Sequence, residues 1–295
     1  MHCNLSTGTL MSKNLVGPKK FFETYLEFHE QIFTSHVKCM HHLVAVLPFE
    51  HLNQSDITAR LNQKKPILGE DNFILEEKEL EYIFELIFPT FKKFFSRIAE
   101  QVARIEELYD KRKLPLGRLS IAQVVGDKNP SMEISKKHNV PVVLLEKVIE
   151  FVSSPYLELC AEFYNKKLAQ FNWKQPFCPI CGNVPTMAIV NEKKATRNLW
   201  CRFCDTTWSF DEMVCPFCLN SDAASQKIVF YSDRKPIRID ACDKCNNYIK
   251  TIDELISSQI MHISVKNVET FYLDMIAKIL GYNTPSYIKY FLESL

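Results

Sequence analysis

The sequence between residues 178 and 245 repeats one short motif four times: CPIC at 178–181, CRFC at 201–204, CPFC at 215–218 and CDKC at 242–245. Two residues between a pair of cysteines let a tight turn direct both sulfurs at one metal ion about 2.3 Å away. Two such turns complete a tetrahedral site, so the motif predicts two metal ions, each zinc or iron. The predicted ligands are Cys178, Cys181, Cys201, Cys204, Cys215, Cys218, Cys242 and Cys245.

Four turns can be combined into two sites in two ways. In sequential pairing the first and second turns share one ion and the third and fourth share the other, with 19 and 23 residues between the paired turns. That spacing is close to the spacing of zinc ribbons, and we favour it. In a cross-braced arrangement the first turn pairs with the third and the second with the fourth. Both arrangements obey the same local geometry, so the sequence leaves the second one open.

The residue that follows each pair influences the shape of the turn. Gly182, Asp205 and Asn246 tolerate a positive φ, which lets backbone N–H groups turn towards sulfur. Leu219 follows the third pair and does not share this tolerance. We therefore expect the third turn to be strained or differently shaped.

The donor set indicates what the ions do. Four thiolates fill the coordination sphere and leave no position for water, which is typical of a structural ion. The 81 residues from 174 to 254 contain few aliphatic side chains. The metal is therefore expected to supply folding free energy, about 10–16 kcal/mol per site in zinc peptides. We predict no catalytic residue and no enzyme activity.

The region before the cysteine pairs has a helical pattern. From Leu80 to Leu108 apolar residues recur every three or four positions, as on one face of a long helix that Pro89 should kink or split. Residues 115–130 are predicted to be rich in turns. Ser153-Ser154-Pro155 should break the apolar helix that begins after Pro141. Further helices are predicted at 21–47, 132–138 and 156–168.

These patterns predict an α plus small β metal-ribbon fold: an N-terminal all-α helical bundle, two rubredoxin-like or zinc-ribbon four-cysteine modules and a C-terminal helix. Short strands such as 228–231 and 237–239 lie between the cysteine pairs, and the final amphipathic helix ends at Gly281. The predicted domain bounds are 1–172 for the helical domain, 173–213 and 214–255 for the two modules, and 256–295 for the C-terminal helical segment.

Composition and charge exclude several classes of function. The chain of 295 residues has a net charge of +1, so no global field attracts nucleic acid or an anionic membrane. Residues 174–254 hold eleven basic and ten acidic side chains, and eight thiolates with two divalent ions bring the net charge of this region to −3.

Other sequence signals are also missing. The seven glycines are scattered and form no phosphate-binding loop. No segment approaches the roughly 18 apolar residues of a membrane span, and the first residues lack the apolar region of an export signal. We therefore expect no nucleic-acid binding, no membrane insertion, a cytoplasmic location and thiols rather than disulfides.

Several residues around the cysteines form longer motifs. These are CPICG at 178–182, Leu199-Trp200 before Cys201 with Trp208 four residues after Cys204, Cys215-Pro216, and the run DACDKCNNYIKTID at 240–253. In order, in spacing and in the Tyr-x-Lys-Thr-x-Asp sequence after the last pair, they resemble the formate dehydrogenase accessory protein family, FdhE.

The resemblance implies a helical N-terminal region, two rubredoxin-like modules and a role in the maturation of formate dehydrogenase, through binding of its catalytic subunit in the cytoplasm. Within the resembling motifs, Trp208, Tyr248 and Lys250 are the candidate partner contacts. Two other functions are considered: a one-electron redox protein with rubredoxin-like iron sites, and a zinc ribbon that binds nucleic acid. Self-association into a homo-oligomer is left open.

Overall fold

The computed structural model describes residues 19–47, 54–191, 195–230, 237–253 and 263–283. Before residue 170 these residues form seven α-helices, joined in part by short 3-10 turns at 70–72 and 96–98. The helices are α1 (Lys19–Val46), α2 (Gln54–Asn62), α3 (Glu77–Phe94), α4 (Ala99–Asp110), α5 (Leu116–Val125), α6 (Asn129–His138) and α7 (Val142–Leu168).

The centre of the bundle is aromatic and lies where α1, α3 and α7 meet. The ring of Phe28 contacts those of Phe91, Phe95 and Phe151 edge to face, with centroids 5.4, 5.3 and 5.8 Å away. Such pairs contribute about 0.5–1.5 kcal/mol each beyond the burial of their surface. The helical region predicted from apolar spacing is therefore a true bundle, packed around these aromatic side chains.

Of the two effects predicted for Pro89, a kink or a split, the split was wrong. Pro89 lies inside α3, and the chain leaves the helix only at Phe95, before the 3-10 turn at 96–98. Proline removes a single backbone donor and costs about 3 kcal/mol. The neighbouring Phe88 and Phe91 are both buried. Their burial, at about 1.5–3 kcal/mol for each side chain, is enough to outweigh that cost.

The stretch 115–130, predicted to be turn-rich, contains α5 instead. Glu77, on α3, caps the start of this helix from a distance: its carboxylate oxygens accept hydrogen bonds from the backbone N–H groups of Leu116 and Gly117 at 2.9 and 2.8 Å. Acceptors placed at a helix start satisfy N–H groups that have no partner within the helix.

The predicted break at Ser153-Ser154-Pro155 is also absent, because α7 runs through it. Pro155 has no N–H to donate to the carbonyl of Phe151 four residues earlier. That carbonyl instead lies 3.1 Å from Nε2 of His36, which comes from α1. The hydroxyls of Ser153 and Ser154 donate to carbonyls four residues before them, each at 2.8 Å. A tertiary contact thus replaces the missing helical hydrogen bond.

The cysteine region forms one six-stranded sheet with the order β3-β2-β1-β6-β5-β4. Its strands are β1 (Met187–Asn191), β2 (Thr196–Trp200), β3 (Thr207–Phe210), β4 (Gln226–Phe230), β5 (Ile237–Cys242) and β6 (Asn247–Asp253). Neighbouring strands are antiparallel except β1 and β6, which pair in parallel with Met187 opposite Lys250. The predicted modules 173–213 and 214–255 are therefore the two halves of one continuous sheet.

The described part of the C-terminal segment contains two helices, α8 (Ile263–Glu269) and α9 (Phe271–Ile279), where a single helix was predicted. They meet at Thr270, whose hydroxyl donates to the carbonyl of Lys266 at 2.7 Å. Helix α8 contacts α1, and α9 packs on β5 and β6. The remainder of the predicted 256–295 segment lies outside the described residues. No helix among the described residues is long and apolar enough to cross a membrane.

Candidate metal centres

The eight predicted ligands come together as two groups of four. Cluster 1 consists of Cys178, Cys181, Cys201 and Cys204, and cluster 2 of Cys215, Cys218, Cys242 and Cys245; within each cluster all four sulfurs lie within 4.8 Å of one another. The structure thus adopts sequential pairing, and the cross-braced alternative is not formed.

The sulfur separations match a tetrahedral ion. Four sulfurs about 2.3 Å from a common centre would be about 3.8 Å from each other. In cluster 2 the Sγ atoms of Cys215 and Cys245 are 3.8 Å apart, and those of Cys218 and Cys242 are 3.7 Å apart. In cluster 1 the sulfurs are somewhat closer: that of Cys181 is 3.5 Å from that of Cys201 and 3.6 Å from that of Cys204, and that of Cys178 is 3.4 Å from that of Cys204. All these cysteines are free thiols, since a disulfide would bring the sulfurs to about 2.05 Å.

The four turns share one backbone shape. The residue after each pair has a positive φ: 74° at Gly182, 56° at Asp205, 59° at Leu219 and 54° at Asn246. In three turns this residue also donates its N–H to the carbonyl of the first cysteine, at 2.8–2.9 Å. The expectation of a different third turn was wrong in shape, because Leu219 adopts the same left-handed conformation. For a leucine that conformation is strained, by about 1–2 kcal/mol.

Cluster 1 is attached to the helical bundle through its first turn. The N–H groups of Ile67 and Leu68 donate to the carbonyls of Pro179 and Ile180, each at 2.8 Å. The approach is so close that a Cβ on Gly182 would lie 2.9 Å from the side chain of Pro66. Glycine adopts this φ without strain, and its lack of a side chain leaves room for Pro66.

The two clusters differ in burial. All four cysteines of cluster 1 are fully buried and belong to the same apolar core as the helices. In cluster 2, Cys215 and Cys242 are buried, whereas Cys218 and Cys245 are partly exposed. An ion in cluster 1 would be enclosed by protein, and an ion in cluster 2 would lie near the surface.

The electrostatics of cluster 1 indicate a cation. Burial raises the pKa of the Cys201 and Cys204 thiols well above their usual value, and hydrogen bonds with the sulfurs of Cys178 and Cys181 raise it further. Burial also acts to raise the pKa of Cys181, but hydrogen bonds from the other three sulfurs outweigh it and lower that pKa. The group therefore favours a thiolate at Cys181 and opposes one at Cys201 and Cys204. A divalent ion would allow all four to ionise, and tetrahedral sulfur donors suit zinc or iron.

Polar side chains next to the sulfurs complete both sites. In cluster 1, Asn183 donates to the sulfur of Cys181 at 3.5 Å, and the hydroxyl of Thr206 lies 3.1 Å from the sulfur of Cys204. In cluster 2, Asn220 donates to Cys242 at 3.9 Å. Such contacts orient ligands and stabilise thiolate charge. The residues present fit a closed four-thiolate ion, which would supply rigidity and leave no open coordination position.

Comparisons with known proteins agree with this geometry. Residues 177–211, which include cluster 1, match the family model described as FdhE, central domain. The FdhE resemblance is confirmed. The chain is similar to the protein FdhE homolog of Aquifex aeolicus (strain VF5), at 24% identity over 238 residues that cover 79% of this chain and 74% of that protein.

The similarity extends to other FdhE proteins. The FdhE homolog of Klebsiella pneumoniae subsp. pneumoniae is 24% identical over 218 residues, 71% of this chain and 65% of that protein. Protein FdhE of Escherichia coli (strain K12) is 27% identical over 92 residues, 30% of this chain and 28% of that protein. The crystal structure of the FdhE protein from Pseudomonas aeruginosa superposes with a TM-score of 0.60 at 15% identity, over 91% of this chain and 94% of that chain. The chain therefore has the FdhE fold.

The three FdhE motif residues predicted to contact a partner lie inside the protein. Trp208 is buried and donates its indole N–H to the carbonyl of Gln175 at 2.9 Å. Tyr248 and Lys250 are buried against α9, where both donate to the carboxylate of Asp274, at 2.6 and 2.8 Å. In this conformation they hold the cysteine region together from within. Less than 5% of each residue is exposed, so little of any of the three is accessible to a partner.

Sequence reasoning missed an ionic group beside cluster 1. Arg202, between two cluster 1 ligands, donates to Glu150 on α7 at 2.5 Å. Lys147, one turn earlier on α7, donates to both oxygens of the same carboxylate at 2.9 Å. All three side chains are at least seven-eighths buried. Only the i, i+3 spacing of Lys147 and Glu150 was visible in the sequence.

Proposed function

We propose that the protein is a non-enzymatic accessory factor for the maturation of formate dehydrogenase, one that binds the catalytic subunit through a scaffold stabilised by two metal ions. The assignment to formate dehydrogenase rests on the FdhE resemblance. The mode of action rests on the geometry of the two clusters.

The observation that carries the proposal is the position of cluster 1. Its four cysteines belong to the core of the helical bundle, and its first turn is hydrogen-bonded to the backbone of Ile67 and Leu68. An ion there would fix the sheet against the helices. The bundle and the sheet would then present one rigid surface, which lowers the ordering cost of binding a large partner.

The same geometry favours binding over catalysis. Among the described residues, each cluster consists of four sulfur ligands with no His, Asp or Glu side chain in the group. A closed sphere of this kind has no position for a reacting water or substrate. We therefore assign both ions a structural role. As the FdhE resemblance implies, we propose that the protein meets its partner in the cytoplasm.

Co-purification with the formate dehydrogenase catalytic subunit tests the proposal. We expect the subunit to be retained by the wild-type protein and lost with Cys178→Ser/Cys181→Ser, which removes half of cluster 1. The matched control is Cys39→Ala, which alters a buried cysteine outside both clusters. A strain without the gene should lose formate oxidation and regain it with the control variant. Normal formate oxidation in that strain would refute the proposal.

One observation favours a second function, one-electron transfer. Cys218 and Cys245 are partly exposed, so an iron ion in cluster 2 would lie within reach of a redox partner. Anaerobically purified protein would then show visible absorption that bleaches reversibly on reduction. Colourless protein containing only zinc would exclude this function and leave the accessory role intact.

A further inference from the structure

Strand β2 carries a buried arginine, Arg197, that has no carboxylate partner. Only 5% of the residue is exposed, and it shares the buried face of the strand with Leu199, where an apolar side chain is usual. Within the described part of the chain its hydrogen bonds go to backbone carbonyls, and no carboxylate forms an ion pair with it. A guanidinium stays charged when buried, and burial of a cation without an anion is costly. Packing alone therefore does not account for an arginine here.

The guanidinium supports the backbone that enters cluster 2. Its Nη1 atom donates to the carbonyls of Glu212 and Val214, at 3.3 and 3.2 Å. Val214 directly precedes Cys215, the first ligand of cluster 2, whereas Arg197 lies four residues before Cys201, a ligand of cluster 1. The side chain thus connects the strand that leads into one site with the segment that leads into the other.

Most of the charged side chains around Arg197 are paired with one another. Arg197 lines a cavity of about 250 Å³ beside cluster 2. In the wall of this cavity, Nε of Arg238 donates to the carboxylate of Asp240 at 2.8 Å. Lys227, also in the wall, has its Nζ atom 3.5 Å from the carboxylate of Asp243. These pairs are neutral and leave the charge of Arg197 uncompensated.

Cluster 2 is the anion that can balance Arg197. The remaining acidic residue of the cavity, Glu212, is exposed, whereas Cys215 lines the same cavity and is buried. Burial lowers the pKa of Arg197, and the charges of Asp240 and Cys215 act to raise it, so the field of the cluster reaches the guanidinium. Four thiolates with one divalent ion carry a net charge of −2. A cation beside them stabilises the thiolate charge and thereby the bound metal.

We infer that Arg197 is a positioning residue of cluster 2, which holds the backbone that enters Cys215 and balances part of the thiolate charge when metal is bound. Cluster 2 therefore retains its ion longer than its partial exposure alone would allow. The inference rests on the metal-stabilised scaffold proposed above, and it does not depend on the identity of the partner.

Metal release from the full-length, zinc-loaded protein to an excess of a coloured chelator tests the inference. The double variant Cys218→Ser/Cys245→Ser, which dismantles cluster 2, identifies the phase that belongs to this site. Arg197→Met should accelerate that phase about tenfold, as is usual when a side chain that supports metal ligands is removed, and leave the cluster 1 phase unchanged. Arg197→Lys should accelerate it only about threefold, because the charge remains and the fixed fork of donors is lost.

The reduction potential of the iron-loaded protein separates the loss of charge from the loss of hydrogen bonds. Four thiolates carry one more net negative charge with ferrous than with ferric iron, so removal of a nearby cation lowers the potential. Arg197→Met should lower the potential of one iron site and not of the other, whereas Arg197→Lys should leave both potentials in place. A purely structural role predicts no such difference between the two variants.

A matched control and a second neutral variant complete the test. Arg104→Met also removes an arginine that donates to a backbone carbonyl, that of Asn139 in the helical bundle, and should behave as the wild type does. If Arg197→Met does not fold, Arg197→Gln replaces it and has the same expected results. The inference is overturned if the neutral variant releases metal from cluster 2 at the wild-type rate, if both clusters accelerate equally, or if Arg197→Lys lowers the potential as much as the neutral variant. Co-purification with the formate dehydrogenase subunit tests the accessory role separately, so failure of one result is distinguishable from failure of the other.

Discussion

The stability of the protein should increase with pH between 7 and 9 because of a single buried lysine. Lys147 and Arg202 both donate to the carboxylate of Glu150, so two cations share one anion in a site from which water is nearly excluded. Burial first, and the charge of Arg202 second, lower the pKa of Lys147 to about 7. When Lys147 loses its proton, one cation and one anion remain, and the buried charges balance.

The magnitude follows from the difference between folded and unfolded states. A lysine in an unfolded chain has a pKa of about 10.4. Between the folded and the unfolded pKa the unfolded state binds more protons, so the free energy of unfolding rises with pH. The penalty is full below pH 7 and vanishes above about pH 10.4. At about 1.36 kcal/mol per pKa unit, the contribution of Lys147 should rise by about 2 kcal/mol from pH 7 to pH 9.

Urea unfolding of the metal-loaded protein at pH 7, 8 and 9 measures this effect. The difference between the wild type and Lys147→Met cancels contributions from other titrating groups. We expect Lys147→Met to be the more stable protein at pH 7, because an apolar side chain replaces a buried ion, and to lack the 2 kcal/mol rise. Lys128→Met, which removes an exposed lysine nearby, should keep the rise. Identical pH dependence in the wild type and in Lys147→Met would refute the reasoning.

Three further outcomes are expected. Gly182→Ala should lower the melting temperature more than Gly126→Ala does. Both glycines have a φ near 75°, but only at Gly182 would the new methyl group lie 2.9 Å from a proline side chain. Equal losses in the two variants would contradict this. A coloured chelator should remove metal in two phases, the faster one from the partly exposed cluster 2, and a single phase would count against the difference in burial. Tyr248→Phe should lower the free energy of unfolding by about 1–3 kcal/mol, because it removes the buried hydrogen bond to Asp274. Tyr282→Phe removes an exposed hydrogen bond to Asp243 and should lower it less, which urea unfolding of the two variants measures.

The metal centres were the most predictable part of the molecule, because each turn is encoded by neighbouring residues. The spacing of two residues within each pair fixes where both sulfurs point, and it was sufficient to predict two sites. The 19 and 23 residues between paired turns favoured sequential pairing without excluding the cross-braced one, and the structure decided between them. The shape of the third turn was misjudged because propensity was given too much weight. Leu219 takes a φ of 59° since the geometry of the turn requires it, at the expense of local strain.

The helical breaks were less predictable, because their causes are distant in sequence. Pro155 is tolerated in α7 through a contact between His36 and Phe151, which are 115 positions apart. Helix α5 begins where it does because Glu77, 39 positions before Leu116, caps it. A single sequence shows that a proline or a polar stretch is present, and it does not show which remote side chain compensates for it. Local patterns therefore overestimate the number of breaks.

The parallel pairing of β1 with β6 has the largest consequence for how the protein works. Each of these strands begins shortly after a cysteine turn, β1 after the first turn of cluster 1 and β6 after the second turn of cluster 2. An ion in either cluster therefore fixes the start of a strand on which the other half of the sheet depends. Loss of one ion should loosen the strand pair, and with it the second site, so the stabilising effects of the two ions should not be additive. The predicted domain boundary between residues 213 and 214 leaves two cysteine pairs on each side. The six-stranded sheet nevertheless continues across that boundary, so the two sites share one sheet.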